Sequence, residues 1–218
     1  MKKYFFVFVV FFSSFLAFSK NSDFDCYFGL GIGTTFSQTR FSVSDDLGSH
    51  SANTGGVSLD FINFDLRLLE KNSPLAFMGQ FSIGLYPYSH FEICGKDLES
   101  EFSDSALSKM SALLGLGYNF IIDEKFNIIV SGLFGLQALD FEGDFKSGND
   151  ESLEFKSNEF ALGADVFAHY ALTNRWGLFA ALTATLCPGG TCKIDNKEKN
   201  TKPGSIFISP RLGASIKF

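Results

Sequence analysis

The sequence predicts an all-β fold: an eight-stranded antiparallel up-and-down barrel that crosses a membrane on its strands, behind a cleavable signal peptide. Three observations carry that prediction. Apolar residues recur with period two in eight segments, the opposite face of those segments is small and polar, and the links between them alternate short and long. Composition agrees: 45% of the 218 residues are hydrophobic and 19% charged, too apolar for a disordered chain. Acids outnumber bases 24 to 18, so no overall positive footprint for nucleic acid exists.

The first element is an export label. Lys2 and Lys3 precede an apolar run from Tyr4 to Phe12, and Ala17 and Ser19 stand two apart in small-residue positions, which predicts cleavage before Lys20. The apolar run is too short to span as a helix, and no later run approaches the length of about 18 apolar residues that a spanning helix needs. The expected organisation is therefore a signal peptide over 1–19 and one barrel domain over 20–218. Seven of the 28 Phe fall in the label.

The strands follow in order. Phe28, Leu30, Ile32 and Phe36 alternate with Gly29, Gly31, Gly33 and Ser37; Ile62, Phe64, Leu66 and Leu68 with Asn63, Asp65 and Arg67; Phe77, Phe81, Ile83 and Leu85 with Met78, Gln80, Ser82 and Gly84. Met110 to Phe120 then alternate with Ser111 to Asn119, and Phe126 to Leu136 with Asn127 to Gln137. The last three segments set Phe160 to Tyr170 against Glu159, Gly163, Asp165 and His169, Trp176 to Ala184 against Gly177 to Thr185, and Ile208 to Phe218 against Ser209 to Lys217. A soluble sheet would present Lys and Glu on its wet face. Here that face is mostly Gly, Ser, Thr, Asn and Ala, which suits the crowded inside of a narrow barrel and leaves the apolar face for lipid.

Links near residues 71–73, 123–124 and 173–175 are short, and those over 37–55, 89–105, 140–158 and 188–204 are long. That asymmetry predicts periplasmic turns and extracellular loops, with both termini in the periplasm. Tyr118, Phe120, Phe126, Tyr170, Trp176 and Phe218 lie near the turns, as an interfacial girdle would.

The chain ends Arg211-Leu212-Gly213-Ala214-Ser215-Ile216-Lys217-Phe218. Arg211, Gly213, Ile216 and Phe218 resemble the signal that outer-membrane barrels present to their assembly machinery, Ile216 being aliphatic where many members are aromatic. With the signal peptide and the eight segments, the mature chain resembles the small OmpA/OmpX/OmpW-like barrels, and its Phe-rich composition also resembles small outer-membrane proteins of spirochaetes. The resemblance implies a bacterial outer-membrane location, contact with outer-membrane lipid and with the barrel-assembly machinery, and, from OmpW-like members, a narrow conduit for small, hydrophobic molecules.

Several polar residues need an account. Asp65, Arg67, Gln80, Asp165, His169 and Arg211 all fall on the predicted inner face, where unpaired charges are costly, so a buried polar cluster that plugs the lumen is expected. Ser89 and His90 are adjacent on a strand and point to opposite faces, so no nucleophile–base pair is expected, and no His/Asp/Glu spacing suggests a metal site. Cys187 and Cys192 bracket Pro-Gly-Gly-Thr, a spacing that could close a disulfide across a tight turn. The expected function is structural or surface-interacting, through loops that meet a host or extracellular ligand. Neither catalysis nor a cofactor is expected.

Overall fold

The computed structural model describes residues 23–45, 48–93, 96–97, 101–146, 152–194, 197–199 and 204–218. The expected signal peptide lies outside the described residues, as does Cys94. Eight long strands are present: β1 (Phe24–Asp45), β2 (Gly48–Glu70), β3 (Leu75–Ile93), β5 (Phe102–Ile121), β6 (Phe126–Phe145), β7 (Ser152–Ala171), β8 (Trp176–Ile194) and β10 (Gly204–Lys217). Two short strands, β4 (Lys96–Asp97) and β9 (Lys197–Lys199), pair on the ends of β3 and β8.

Each long strand pairs antiparallel with its neighbours, and β10 pairs both with β8 and with β1, which closes the barrel. Following the ladder from Tyr27 through Arg67, Met78, Gly115, Leu133, Gly163, Thr185 and Phe207 returns to β1 at Ser37, ten residues further along. That stagger on eight strands corresponds to a tilt of roughly 40–45° and a bore that side chains can fill.

Each short link carries a side chain that fixes its turn. Asp123 Oδ1 accepts from the backbone N–H groups of Lys125 and Phe126, both at 2.7 Å, and Thr173 Oγ1 accepts from Arg175 and Trp176 at 3.2 and 3.0 Å. Ser73 Oγ accepts from Leu75 N at 3.2 Å and donates to Glu70 at 2.6 Å.

The long links differ from expectation. Residues 37–55 are mostly ladder, paired from Ser37–Gly56 to Asp45–Gly48, and β6 and β7 stay paired to Asp144–Ser152. Asp140, Glu142 and Asp144 belong to a wet strand rather than a loop, facing outward in alternation with Leu139, Phe141 and Gly143. These extensions hold because their inner face carries its own aromatic core. Phe41 stacks on Phe155 at 4.4 Å, Phe91 on Phe141 at 4.8 Å, and Phe102 meets Phe141 edge-on at 5.5 Å. On their outer wall, Lys156 donates to Glu154 Oε2 at 3.1 Å, and this bond holds the ammonium pKa above its ordinary value.

The barrel is turned inside out relative to a soluble protein. Leu30, Ile32, Phe36, Phe134, Leu162, Leu182 and Leu212 are exposed on the outer wall, whereas Asp65, Arg67, Asp165 and Arg211 are buried within. Such an exterior belongs in hydrocarbon. Tyr118, Phe120, Tyr170, Trp176 and Phe218 are about half exposed at the short-turn end, with Phe126 more covered. The interior is less uniformly small and polar than expected, since Phe167, Phe179, Phe207, Met78, Leu113 and Leu133 also point inward.

Candidate functional site

The candidate site is the lumen, built by strands that do not all touch. Asp65 and Arg67 come from β2, Asp165 from β7 on the far wall, and Arg211 from β10 between them. Arg67 Nη2 donates to Asp65 Oδ1 and Asp165 Oδ2, each at 2.9 Å. Arg211 donates through Nη1 to Asp65 Oδ2 at 3.2 Å and through Nη2 to Asp165 Oδ1 at 2.8 Å. The four groups form a ring in which every carboxylate bridges both guanidinium groups. Thr183 extends it, donating to Asp165 Oδ1 at 2.7 Å and accepting from Arg211 Nη2 at 2.9 Å. Gln80 sits directly opposite Asp65 in the β2–β3 ladder, with its Oε1 at 3.5 Å from Thr183 Oγ1. The ring is neutral, spans the bore and leaves both carboxylates hydrogen-bonded through each oxygen, the condition under which buried charges are tolerated.

Apolar layers lie on either side. Toward the short turns, Phe167 receives the Arg67 guanidinium over its ring at 4.1 Å and stacks on Phe179 at 5.0 Å. Toward the long hairpins lie Leu113, Leu133, Leu139, Phe207 and the stacked phenylalanines.

His169 stands apart from the ring. Its Nε2 shares a 2.8 Å hydrogen bond with Ser215 Oγ, and it faces Tyr27 edge-on at 5.0 Å, beside a cavity of about 490 Å³ at the short-turn mouth. Of the six residues expected in one cluster, four make the ring, Gln80 borders it and His169 lies a layer below. Among the residues resembling an assembly signal, Arg211 is in the ring, Gly213 lies under the Phe179 ring, Ile216 is on the outer face, and Phe218 donates its N–H to Cys26 O at 2.9 Å.

Two lumen charges, Asp60 and Lys109, escaped the sequence reading, and a third, Glu159, was placed on the inner face but not in the cluster. Lys109 Nζ donates to Asp60 Oδ2 at 2.8 Å and to Thr35, while Ser58 and Thr35 donate to Asp60 at 2.7 and 2.6 Å. Glu159 Oε1 accepts from Ser157 and Ser205, both at 2.7 Å. Counting by twos from Asp65 puts Asp60 on the lipid face, but an irregularity between Asp60 and Ile62 reverses the alternation. The available signal was the improbability of an aspartate in lipid. Lys109 was two residues before Ser111 and could have been reached by extending that segment.

The expected Cys187–Cys192 bridge is corrected. Cys187 is a free, buried thiol that donates to Gln137 Oε1 at 3.1 Å, and β8 runs through both positions with Cys192 paired to Ser157. Five steps along a strand separate the two Cα atoms by roughly 15 Å, against the 4.4–6.8 Å that a disulfide usually requires. No tight turn forms because Gly189, Gly190 and Thr191 continue the ladder on β7. Alkylation by iodoacetamide is expected to reach Cys187 only after unfolding; rapid labelling of the folded barrel would contradict this placement.

Ser89 and His90 occupy alternate register positions, opposite Gly56 and Gly55. Among the described residues no group of three or more His, Cys, Asp or Glu is placed to hold a metal ion.

A strand-built closed wall with an apolar exterior and an ion-paired interior defines the class: a transmembrane β-barrel. Solved structures share that fold. The chain is similar to the outer-membrane protein OprG of Pseudomonas aeruginosa, with a TM-score of 0.61 at 11% identity over 92% of this chain and 98% of that one. It is also similar to the outer-membrane protease OmpT of Escherichia coli (TM-score 0.51, 10% identity, 92% and 100% covered). A third is a major outer-membrane protein of Thermus thermophilus (TM-score 0.51, 16% identity, 86% and 99% covered). No protein-family model and no curated protein matches the chain. At these identities the likeness concerns the fold, and it lends the spirochaete resemblance no support.

Proposed function

We propose that this chain is a bacterial outer-membrane protein with a structural or surface-interaction role, presented by the hairpins that extend beyond its lipid belt. The observation that carries the reading is the ring Asp65–Arg67–Asp165–Arg211, which ties opposite walls together across the bore. With Phe167 and Phe179 on one side and the phenylalanine core on the other, a solute would have to break buried ion pairs to pass. The charged outer wall of β6 and β7 offers Asp140, Glu142, Asp144, Glu154 and Lys156 to an extracellular partner. In this reading the barrel is not an enzyme, residues 1–19 direct its export, and its partners are the lipid around it, the machinery that inserts it and a ligand at the hairpins.

Planar-bilayer recording tests it. Refolded protein is expected to give no steady conductance, whereas reproducible single-channel steps would defeat the closed-lumen reading and favour the narrow conduit. Deleting the hairpin tips should abolish binding to host or matrix material, and binding that survives the deletion would remove the surface role.

A further inference from the structure

The short-turn end of the barrel opens as a bowl with a closed floor. Two cavities of about 490 and 610 Å³ lie there, and both are lined by Tyr27, Glu124, Lys125, His169 and Lys217. Volumes of this size take small-molecule ligands. Deeper in the bore, Phe167 stacks on Phe179 and the ring of Asp65, Arg67, Asp165 and Arg211 spans the lumen. A molecule that enters the bowl goes no further.

The rim is organised by the main chain. Lys71 N donates to Asp23 O at 3.0 Å, and Asn119 N to Pro74 O, Ala171 N to Lys125 O and Lys217 N to Arg175 O, each at 2.7 Å. Every short turn is thus tied to the end of a neighbouring strand, in addition to the side chains that fix the turns themselves. A site held in place in this way loses little freedom when a ligand arrives.

Most charges of the bowl are matched within the chain. Lys217 and Lys71 both reach Asp25, at 2.6 and 3.7 Å, and Asp123 accepts from two backbone N–H groups of its own turn. Glu124, Lys125 and Arg175 are exposed, and their side chains make no hydrogen bond or ion pair with the described residues, although all three line the 490 Å³ cavity. Two bases and one acid around one space select among ligands. A phosphate or a lone carboxylate suits Lys125 and Arg175 but is repelled by Glu124, and an amine alone suits Glu124 but is repelled by the two bases. A carboxylate and an ammonium on one carbon suit all three: Arg175 and Lys125 take the carboxylate, and Glu124 accepts from the ammonium. The remainder of such a ligand lies over Tyr27 and His169, whose rings meet edge-on at 5.0 Å on the floor.

We propose that Glu124, Lys125 and Arg175 form a binding site for the head group of an α-amino acid, free or carried at the end of a longer chain, in the periplasmic mouth of the barrel. The inference rests on the membrane-barrel reading above and is independent of the surface role. Isothermal titration of the full chain refolded in detergent, with L-norleucine as probe, tests it, and the fluorescence of Trp176, the single tryptophan and a lining residue of the same cavity, gives a second readout. The wild type is expected to bind one norleucine per chain. Arg175→Gln, Lys125→Gln and Glu124→Gln should each weaken binding by about fivefold, the worth of one partly exposed charge contact. N-acetylnorleucine, which lacks the ammonium, should bind the wild type more weakly than norleucine does and bind Glu124→Gln more tightly than it binds the wild type, a reversal that a merely structural role would not produce. Absence of saturable binding, equal affinity in wild type and Arg175→Gln, or absence of that reversal would overturn the site. The dipeptide γ-glutamylnorleucine carries the same head group on a longer chain: tighter binding than norleucine assigns the chain as the source, and equal binding assigns the free amino acid. Heat-modifiable gel migration of the same samples separates the two levels, since a wild type that folds but binds no norleucine defeats only this site, and one that shows no shift defeats the barrel itself.

Discussion

Arg211→Ala is expected to destabilise the folded barrel by about 3–5 kcal/mol, the cost of leaving buried charge uncompensated. The substitution strips one partner from Asp65 and one from Asp165, and removes the donor that Thr183 accepts. Arg67 alone then faces two carboxylates, and the interior carries a net negative charge where lipid and packed side chains admit little water. Arg211→Lys should fall between alanine and wild type, because an ammonium restores the charge but cannot reach both carboxylates in the fork geometry of a guanidinium. Trp176 is the single tryptophan and lies exposed on the outer wall, so urea unfolding in lipid or detergent can be followed by its fluorescence. An Arg211→Ala midpoint within error of wild type would show that the ring contributes nothing to stability.

Phe179→Ala should have a comparable effect, about 3–5 kcal/mol, because its ring fills a space that the opposite wall leaves open for it. Gly29 and Gly31 on β1 and Gly213 on β10 all lie beneath that ring: a Cβ on Gly29 would come within 2.8 Å of Phe179, and one on Gly31 within 2.9 Å. Gly29→Val should cost about 1–3 kcal/mol through overpacking. Gly29 is the better test position, since its nearest obstruction is that side chain, whereas Gly31 also meets the Leu212 carbonyl. In the double variant Gly29→Val with Phe179→Ala, valine occupies part of the vacated space, and the combined loss should be smaller than the sum by about 0.5–3 kcal/mol. Strict additivity would mean that these residues do not share one packing site.

Much of this architecture is written in the alternation of residues. Faces were legible wherever the ladder is regular: Asp65 stands across from Gln80, and Leu30, Ile32 and Leu212 face outward while Gly29, Arg67 and Asp165 face inward. Regularity fails at bulges, and there the reading fails too. The irregularities flanking Val57–Ile62 hide Asp60, because a period-two pattern carries no mark of one extra residue. The glycines were legible as making room in a narrow interior, but not what each makes room for, since Phe179 is 150 residues from Gly29 in the chain and meets it only across the closed wall. Charge misled at the hairpins. Acids at every second position look like a loop until Leu139, Phe141 and Phe155 are seen to face a core between them.

Closure of the wall also sets an order of events. Arg211 lies on β10, the last strand, whose neighbours are β8 and the first strand of the chain. Until that strand arrives, Asp65 and Asp165 share one guanidinium and the sheet has two open edges in a solvent that satisfies neither. Neutralising the interior and sealing the edge thus happen in one step, across the longest sequence separation among the paired strands. Such distant pairing is intrinsically slow. Partly built barrels are therefore penalised twice: a chain truncated before Gly204 keeps two open edges and an unbalanced pair of buried carboxylates.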